Sequence, residues 1–452
     1  MQAHPQRQRG AAALIVVLLL FFIVSMVAAY TSRNLIFEQR TGANQYRSTQ
    51  AMEAAQAGLE WAKAMLNTGR IDAFCQPSTT VTDTTFRERY LLVDANGNFT
   101  ARGTTGALPT SIATQLTPTC VFNGTDWDCD CPSNAAPTLA PPAGTALAPA
   151  FRVRIGVGSG AFVPGTVRIE AVGCTRLNDD CLAFSAPGAL NEGRAMVTEL
   201  VALVGGLPSP PLAALTAGAA VNLAGATLQL SNAHAASGGA TIQARSTVAV
   251  GSSVLSSLPG TPGDLSVIAN DVSLPDGSTS TGADGMFAGV FNLWPATHKQ
   301  QPAAMVLGSA AAGCGAGGCN AAAVRDALAL NPGRVLWIEG DLTVDSAGDI
   351  GSAAAPAVLV VEGDLVFTTA ATIHGLVYLR TGTWATSGAG TVRGAVVAEA
   401  GVAGNGSTSI IYDADVLRRL RLNNGSFVQV PGGWKDFCST PTGLVVGGSL
   451  GC

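Results

Sequence analysis

Ten cysteines are the residues of this chain whose spacing says most about chemistry. Zinc sites usually show C-x2-C pairs or nearby histidines. The closest pairs here are C-x-C, C-x6-C and C-x4-C, and the histidines are His4, His234, His298 and His374. We therefore predict disulfides, no metal, and an oxidising compartment. The disulfide candidates are Cys75, Cys120, Cys129, Cys131, Cys174, Cys181, Cys314, Cys319, Cys438 and Cys452.

Spacing leaves most of the pairing open. We expect Cys174 with Cys181, and Cys314 with Cys319, to close short loops, and a bridge from Cys438 to Cys452 to hold the C-terminal tail. The residues Asp126, Asp128 and Asp130 alternate between cysteines, which would suit calcium. The EF-hand pattern fails there, so a solvated disulfide loop is the preferred interpretation.

Paired acids occur in two near-identical segments, 336–345 and 359–368, which lie 23 residues apart. Glu339 and Asp341 flank a glycine in the first, and Glu362 and Asp364 flank one in the second. A ladder of carboxylates could serve a polysaccharide-active enzyme, with Arg334 and Arg380 as the nearby basic residues. Glycine between acids is more simply a tight turn. We predict turns, and no enzyme.

Composition restricts the class of protein. Of 452 residues, 47% are hydrophobic and 12% charged, there are 54 glycines, and the net charge is −5. Abundant small residues with little charge suit tightly packed β-structure. The basic patch that nucleic-acid binding requires is missing from the sequence. We therefore expect no nucleic-acid partner.

The N-terminal segment must position everything that follows. Residues 1–10 are polar with Arg7 and Arg9, and residues 11–30 carry no charge. Twenty helical residues span about 30 Å, enough to cross a bilayer. The arginines keep the N-terminus cytoplasmic and the body outside. A secretory signal peptide would have a shorter apolar run, while a plain signal anchor stays open.

A helix should continue beyond the apolar run. Residues 31–67 contain no proline, and from Ser48 onward they are rich in good helix formers. An apolar stripe at helical spacing predicts a face that packs on a following domain. Gly42 is the expected weak point or break. The stripe consists of Met52, Ala55, Leu59, Ala62 and Leu66.

This N-terminal segment of about 60 residues resembles PilX-type minor pilins of type IV pili. Glu38, Arg40 and Asn44 match one stretch of that family, and the alanines between Ala51 and Leu59 match another. The resemblance implies that a prepilin peptidase cuts between Gly10 and Ala11 and methylates Ala11.

Major pilins carry Glu at the fifth mature position, where this chain has Ile15. That carboxylate neutralises a terminal ammonium inside an apolar filament. A subunit without it is best tolerated at the filament tip. K-type pseudopilins of type II secretion share this departure.

The fold class that we predict is α+β followed by mostly β. A pilin-type helix (11–68, after a leader 1–10) packs on an antiparallel sheet within 69–206. Residues 207–218 form a linker. Short strands, glycine turns and a period near 20 predict a β-solenoid, or parallel β-helix, over 219–430. A short helix near 416–421 closes it, and 431–452 is a tail.

The expected function is that of a minor pilin-like subunit near the pilus tip, which displays the solenoid for priming or adhesion. The expected partners are prepilin peptidase, other minor and major pilins, the inner membrane, and a surface or host ligand, without any cofactor. The body would be periplasmic before assembly and on the pilus or cell surface afterwards. The alternatives are a surface adhesin, a type II secretion pseudopilin and, less favoured, a polysaccharide-active enzyme.

Overall fold

The computed structural model describes residues 9–94, 97–143, 148–156, 164–184, 192–380, 384–386, 388–404 and 406–436. One helix, Arg9–Leu66, opens the chain. At 1.5 Å per residue its 58 residues extend about 87 Å. It passes through Gly42 without interruption, so the expected break is wrong. No atom outside the helix lies within 4 Å of a Cβ built there, and one exposed helical glycine costs only about 1 kcal/mol.

The helix has two halves with different surroundings. Residues 13–49 are exposed, and the helix includes an apolar stretch that is long enough to cross a membrane, by length and composition. From Ala51 onward one face is buried, including Ala55, Leu59, Ala62 and Leu66. The predicted apolar stripe therefore does pack on a domain.

The buried face lies on a six-stranded antiparallel sheet. Gly173 lets the helix approach closely, because a Cβ there would lie 2.2 Å from the Ala51 carbonyl oxygen. We call this sheet the helix-packed sheet. Its strands, in spatial order, are Gly425–Gln429, Arg194–Gly205, Thr166–Cys174, Ala150–Gly156, Thr119–Phe122 and Trp127–Asp130.

A short excursion precedes the sheet. Thr85 and Glu88 form a reciprocal capping box that starts the helix Phe86–Tyr90. The strands Leu91–Val93 and Phe99–Ala101 pair antiparallel beside it. A 3-10 turn, Ile112–Thr114, follows them.

The remaining described strands, within 215–412, form three mainly parallel sheets. The long parallel sheet contains Leu215–Ala217, Gln229–Ser231, Ile242–Ala244, Val254–Ser256, Val267–Ile268, Ala304–Leu307, Val335–Ile338, Ala357–Val361, Thr372–Leu379, Thr391–Ala398 and Ser409–Tyr412. The second contains Val221–Asn222, Val248–Ala249, Trp384–Thr386 and Val402–Gly404. The third contains Cys314–Gly315, Gly318–Asn320, Asp341–Val344 and Leu365–Phe367, and only its first pair is antiparallel.

Strand order in the long parallel sheet does not follow the sequence. Val335, Val358, Leu376 and Ala395 stand in register on successive strands. Beyond them, Thr391–Ala398 pairs with both Ser409–Tyr412 and the much earlier Leu215–Ala217. The early strands thus stack on the late ones, although some 180 residues separate them along the chain.

Short helices pack around these sheets. Ser280–Phe291 and Pro295–Lys299 bury Phe287, Phe291 and His298 in a cluster that also contains Trp337 and Tyr378 of the long parallel sheet. The helix Ala321–Leu330 closes on the core shared by the three sheets. Ala414–Asn423 leads the chain back toward the N-terminal helix. The 3-10 turns Ala235–Ser237 and Gly263–Ser266 complete the described elements.

Two expected segment boundaries are wrong. Residues 215–217, expected in a linker, form a buried strand of the long parallel sheet. Residues 425–429, expected in the repeat, pair antiparallel with 201–205 and become the edge strand of the helix-packed sheet. The sequence of residues 425–429 does not show which sheet edge will provide hydrogen-bond partners for their backbone N–H and C=O groups. The region between Gly206 and Asn424 is therefore inserted between two neighbouring strands of the helix-packed sheet.

Candidate functional site

The exposed half of the N-terminal helix carries the residues that sequence analysis assigned to processing and assembly. Gly10 and Ala11 lie in its first turn. Ile15 is 62% exposed among other exposed apolar residues. Glu38 and Arg40 are exposed two residues apart, which places them on different sides of the helix. The structure does not bring these five residues together, because they follow one another along a rod.

The docked half of the helix is held by a charge pair as well as by apolar contacts. Lys63 lies 2.7 Å from a carboxylate oxygen of Glu60 and 3.1 Å from one of Glu199, whose side chain is buried under the helix. Burial lowers the pKa of Lys63, but the two carboxylates outweigh it and raise that pKa above its ordinary value. Lys63 therefore adds a charged contact between the helix and the sheet.

Three regions of the chain meet where the helix ends. Arg87 donates through Nε to the Leu66 carbonyl oxygen and through Nη2, at 3.0 Å, to Asn67 Oδ1. Arg334, from the inserted region, donates through Nη2 to the Asn67 carbonyl oxygen at 2.7 Å. Guanidinium groups suit this position, since a helix C-terminus leaves carbonyls unpaired and carries partial negative charge. Burial and the neighbouring Arg334 lower the pKa of Arg87 to about 9.

The returning strand Gly425–Gln429 joins the same point. Asn67 donates from Nδ2 to the Phe427 carbonyl oxygen at 2.9 Å and accepts from the Phe427 N–H at 2.8 Å. The Phe427 ring packs against Phe99, and the Arg87 guanidinium lies 4.8 Å from its centroid. Arg70, which follows the N-terminal helix, donates to the Ala329 carbonyl oxygen and so makes a second contact with the inserted region. The inserted region is therefore fixed to the end of the N-terminal helix.

Four disulfides are present among the described residues. They join Cys75 to Cys131, Cys120 to Cys129, Cys174 to Cys181, and Cys314 to Cys319. The second and fourth each connect directly paired antiparallel residues. Cys438 and Cys452 lie outside the described residues.

The Glu-Gly-Asp segments stack as structural corners. Lys299 bridges them, with Nζ 2.7 Å from Glu339 and 3.1 Å from Glu362. Asp341 uses one of its carboxylate oxygens locally, since its Oδ1 accepts the Asp364 N–H at 2.8 Å. Gly340 has a φ of 104°, which a tight turn accommodates only with glycine.

Of the two basic residues expected beside these corners only Arg380 lies there, since its N–H donates to the carbonyl oxygen of Val361, next to Glu362, at 2.7 Å. Arg334 is at the end of the N-terminal helix, and Arg380 pairs with Asp284 and Glu399. Within the described part of the chain no group of three or more His, Cys, Asp or Glu residues is arranged to hold a metal ion. In the loop considered for calcium, Asp128 instead accepts both its hydrogen bonds from Asn123, and Asp130 accepts one from the Thr138 N–H.

Sequence reasoning missed a buried polar cluster in the inserted region. Glu399 is 2% exposed, accepts from the Tyr378 hydroxyl at 3.2 Å, and pairs with Arg380 Nε at 2.8 Å. Burial raises the pKa of Glu399 to about 7, although Arg380 acts in the opposite direction. Arg380 also reaches Asp284 on the helix Ser280–Phe291. The members come from distant parts of the sequence, so no local pattern announces the cluster.

A long helix with an exposed apolar half and a second half docked on an antiparallel sheet fits the α+β architecture of pilins. Residues 9–60 match the family model described as PilX N-terminal. The predicted PilX-type N-terminus is thereby confirmed; the match covers the helix and neither β region. No curated protein matches the chain.

Among solved structures, the crystal structure of competence-associated pilin ComZ from Thermus thermophilus aligns with this chain at 11% identity. The alignment covers 86% of this chain and 97% of that one, with a TM-score of 0.20. A score that low is no sign of a shared overall fold.

Proposed function

We propose that this chain is a minor pilin-like structural subunit for type IV pilus assembly, at or near the filament tip. Its inserted parallel-β region would be displayed for priming or adhesion. The observation that carries the proposal is the PilX-type segment 9–60, which coincides with one unbroken helix. That helix leaves an apolar half uncovered for membrane or filament, and fixes the other half on a sheet.

Two features support a place at the tip. The helix starts at the membrane, so the junction at Asn67 lies far from it, and the inserted region is held at that outer end. A large domain there would occupy the space of a subunit above. Ile15 lacks the carboxylate that would compensate a neighbour's terminal ammonium, which matters least for a subunit with no neighbour above.

We further infer that the three parallel sheets are the faces of one β-solenoid. Residues of all three sheets, such as Leu215, Val221, Leu342, Leu365 and Val402, share a single buried core. Strands recur in register, at offsets of 23, 18 and 19 residues. Repeated coils that stack through apolar interiors are the physical basis of solenoids. A rigid stack of this kind provides a broad surface with few charges.

Mass spectrometry of the mature N-terminus tests the processing step. We expect cleavage between Gly10 and Ala11 and a methylated amine on Ala11, in a host that has the prepilin peptidase. Gly10→Val should block cleavage. Gly42→Val is the matched control, since Gly42 lies in the same helix with no other part of the chain nearby. An uncut chain in a competent host would exclude the proposal.

Sheared filaments test the location. The chain should be recovered in the filament fraction and enriched at filament ends by immunogold labelling. In the localisation that we propose, the body is periplasmic before assembly and on the pilus or cell surface afterwards, with prepilin peptidase, minor and major pilins as partners.

A pseudopilin of type II secretion is the second candidate, and Ile15 favours it as much as it favours a tip pilin. Deleting the pilus machinery separates the two. A pilus subunit should lose its surface exposure, whereas a pseudopilin should still be required for secretion. A free-standing adhesin would reach the surface without either machinery.

A further inference from the structure

One loop between the N-terminal helix and the helix-packed sheet holds an exposed phenylalanine in a fixed position. The loop, residues 72–76, follows the end of the N-terminal helix by a few residues. Asp72 Oδ1 accepts the N–H groups of Phe74 and Gln76, each at 2.8 Å, and the Asp72 N–H donates to the Gln76 carbonyl oxygen at 2.9 Å. These bonds close a tight turn whose backbone has little freedom.

The turn is also fastened from below. Cys75 is bonded to Cys131, and the Cys131 N–H donates to the Ala73 carbonyl oxygen at 2.7 Å. Buried Arg89 donates through Nη1 to the carbonyl oxygens of Asp72 and Cys131, at 2.7 and 2.8 Å. The disulfide, the backbone and a guanidinium therefore restrain the same five residues.

Phe74 points out of this restrained turn and is 69% exposed. An exposed phenylalanine forgoes the favourable burial that its ring would gain in the core. The backbone is also held in an unfavourable conformation, because the next residue, Cys75, has a φ of 63° without being glycine. The exposed sequence neighbours Ala73, Gln76 and Pro77 carry no charge, and the carboxylate of Asp72 accepts from backbone N–H groups of the loop.

Aromatic side chains held rigidly before binding make effective anchors, because little conformational entropy is lost on association. We propose that Phe74 is an assembly anchor that inserts into an apolar pocket of a neighbouring pilin, different from this chain, in the same filament. A neighbouring subunit is the fitting occupant because, in the proposed filament, the uncovered helix half is buried side by side with the helices of other subunits. That packing brings the attached domains into lateral contact. The inference thus rests on the proposed function.

Site-specific photo-crosslinking in the native host tests the anchor. Phe74→p-benzoylphenylalanine in the full chain should give a crosslinked product with another pilin subunit, identified by mass spectrometry. The matched control is Leu108→p-benzoylphenylalanine, since Leu108 is 59% exposed in the same domain. A crosslink at position 74 but not at position 108 supports the inference. The inference would be overturned by a crosslink within the same chain, by a crosslink to a second copy of it, or by the absence of any crosslink to a pilin subunit.

Removal of the ring supplies a second measurement. Phe74→Ala should lower the fraction of the chain recovered in sheared filaments by about tenfold, the factor for an interaction of 1.4 kcal/mol, while Leu108→Ala leaves it unchanged. Non-reducing gel mobility checks that the Cys75–Cys131 bond still forms. Unchanged recovery of Phe74→Ala counts against the anchor. If the unaltered chain is itself absent from filaments, the proposed function fails, and this inference fails with it.

Discussion

Asn67 and Phe427 exchange two hydrogen bonds across 360 residues of sequence, from the side chain of one to the backbone of the other. Asn67 directly follows the N-terminal helix, and Phe427 lies on the strand that returns from the inserted region. The two bonds tie the end of the helix to the edge strand of the helix-packed sheet, which follows the inserted region in the chain. The Asn67 side-chain amide therefore helps to hold the returning strand against the end of the helix.

Replacing that amide should destabilise the protein. Asn67→Ala removes bonds to Phe427 and Arg87 and leaves partly buried backbone groups unpaired, at a cost of about 2–4 kcal/mol. Chemical denaturation of the detergent-solubilised chain measures it. Asn44→Ala, at an exposed position of the same helix, should change stability by less than about 0.5 kcal/mol. Equal stability of the two variants would refute the role of Asn67.

The close approach of helix and sheet requires glycine at position 173. Gly173→Ala would place a Cβ 2.2 Å from the Ala51 carbonyl oxygen, which is main chain and cannot move aside. We expect a loss of about 3 kcal/mol or more. Gly156→Ala, in a neighbouring strand with no atom within 4 Å of the new Cβ, is the control and should be well tolerated. Thermal unfolding compares the two, and similar melting temperatures would contradict this packing.

Glu399 should make stability fall as the pH rises. Burial raises its pKa from 4.5 to about 7 in the folded protein, so the folded state holds a proton that the unfolded state has released. Its stabilisation is therefore complete below about pH 4.5 and is lost as the pH rises to about 7. Glu399→Gln should remove this contribution, so that stability between pH 4.5 and 7 falls less, or rises more, with pH than in the unaltered protein. An unchanged slope would show that Glu399 titrates normally.

His298 should act with the opposite sign. Burial lowers its pKa from 6.5 to about 4, so its contribution is complete above about pH 6.5 and is lost as the pH falls to about 4. The two slopes oppose each other in the unaltered protein, and Glu399→Gln should reveal the histidine slope alone. His298→Phe should remove the destabilisation on the acidic side. If acid sensitivity persists in His298→Phe, another group is responsible.

The N-terminal helix and several local features could be predicted from the sequence. An uncharged run of twenty residues and a proline-free amphipathic continuation leave few conformations other than one long helix. The disulfides Cys174–Cys181 and Cys314–Cys319 were predicted because each closes a loop of only a few residues. The repeated Glu-Gly-Asp segments predicted turns at equivalent positions, because each repeat contains its own glycine between two acids.

What the sequence could not disclose was where distant pieces meet. The strand Leu215–Ala217 pairs with Thr391–Ala398, and the strand Gly425–Gln429 pairs with Arg194–Gly205. These pairings form because the unpaired N–H and C=O groups at the edge of a sheet need hydrogen-bond partners, and the folded chain brings distant strands to them. Arg334 resembled a partner for the acidic turns, yet it caps the helix that begins the chain. Sequence alone determined the helix, its apolar N-terminal stretch and the local turns, since these depend on neighbouring residues. The tertiary structure decided the insertion, the buried Glu399 cluster and the junction at Asn67, since these depend on contacts between residues far apart in the chain.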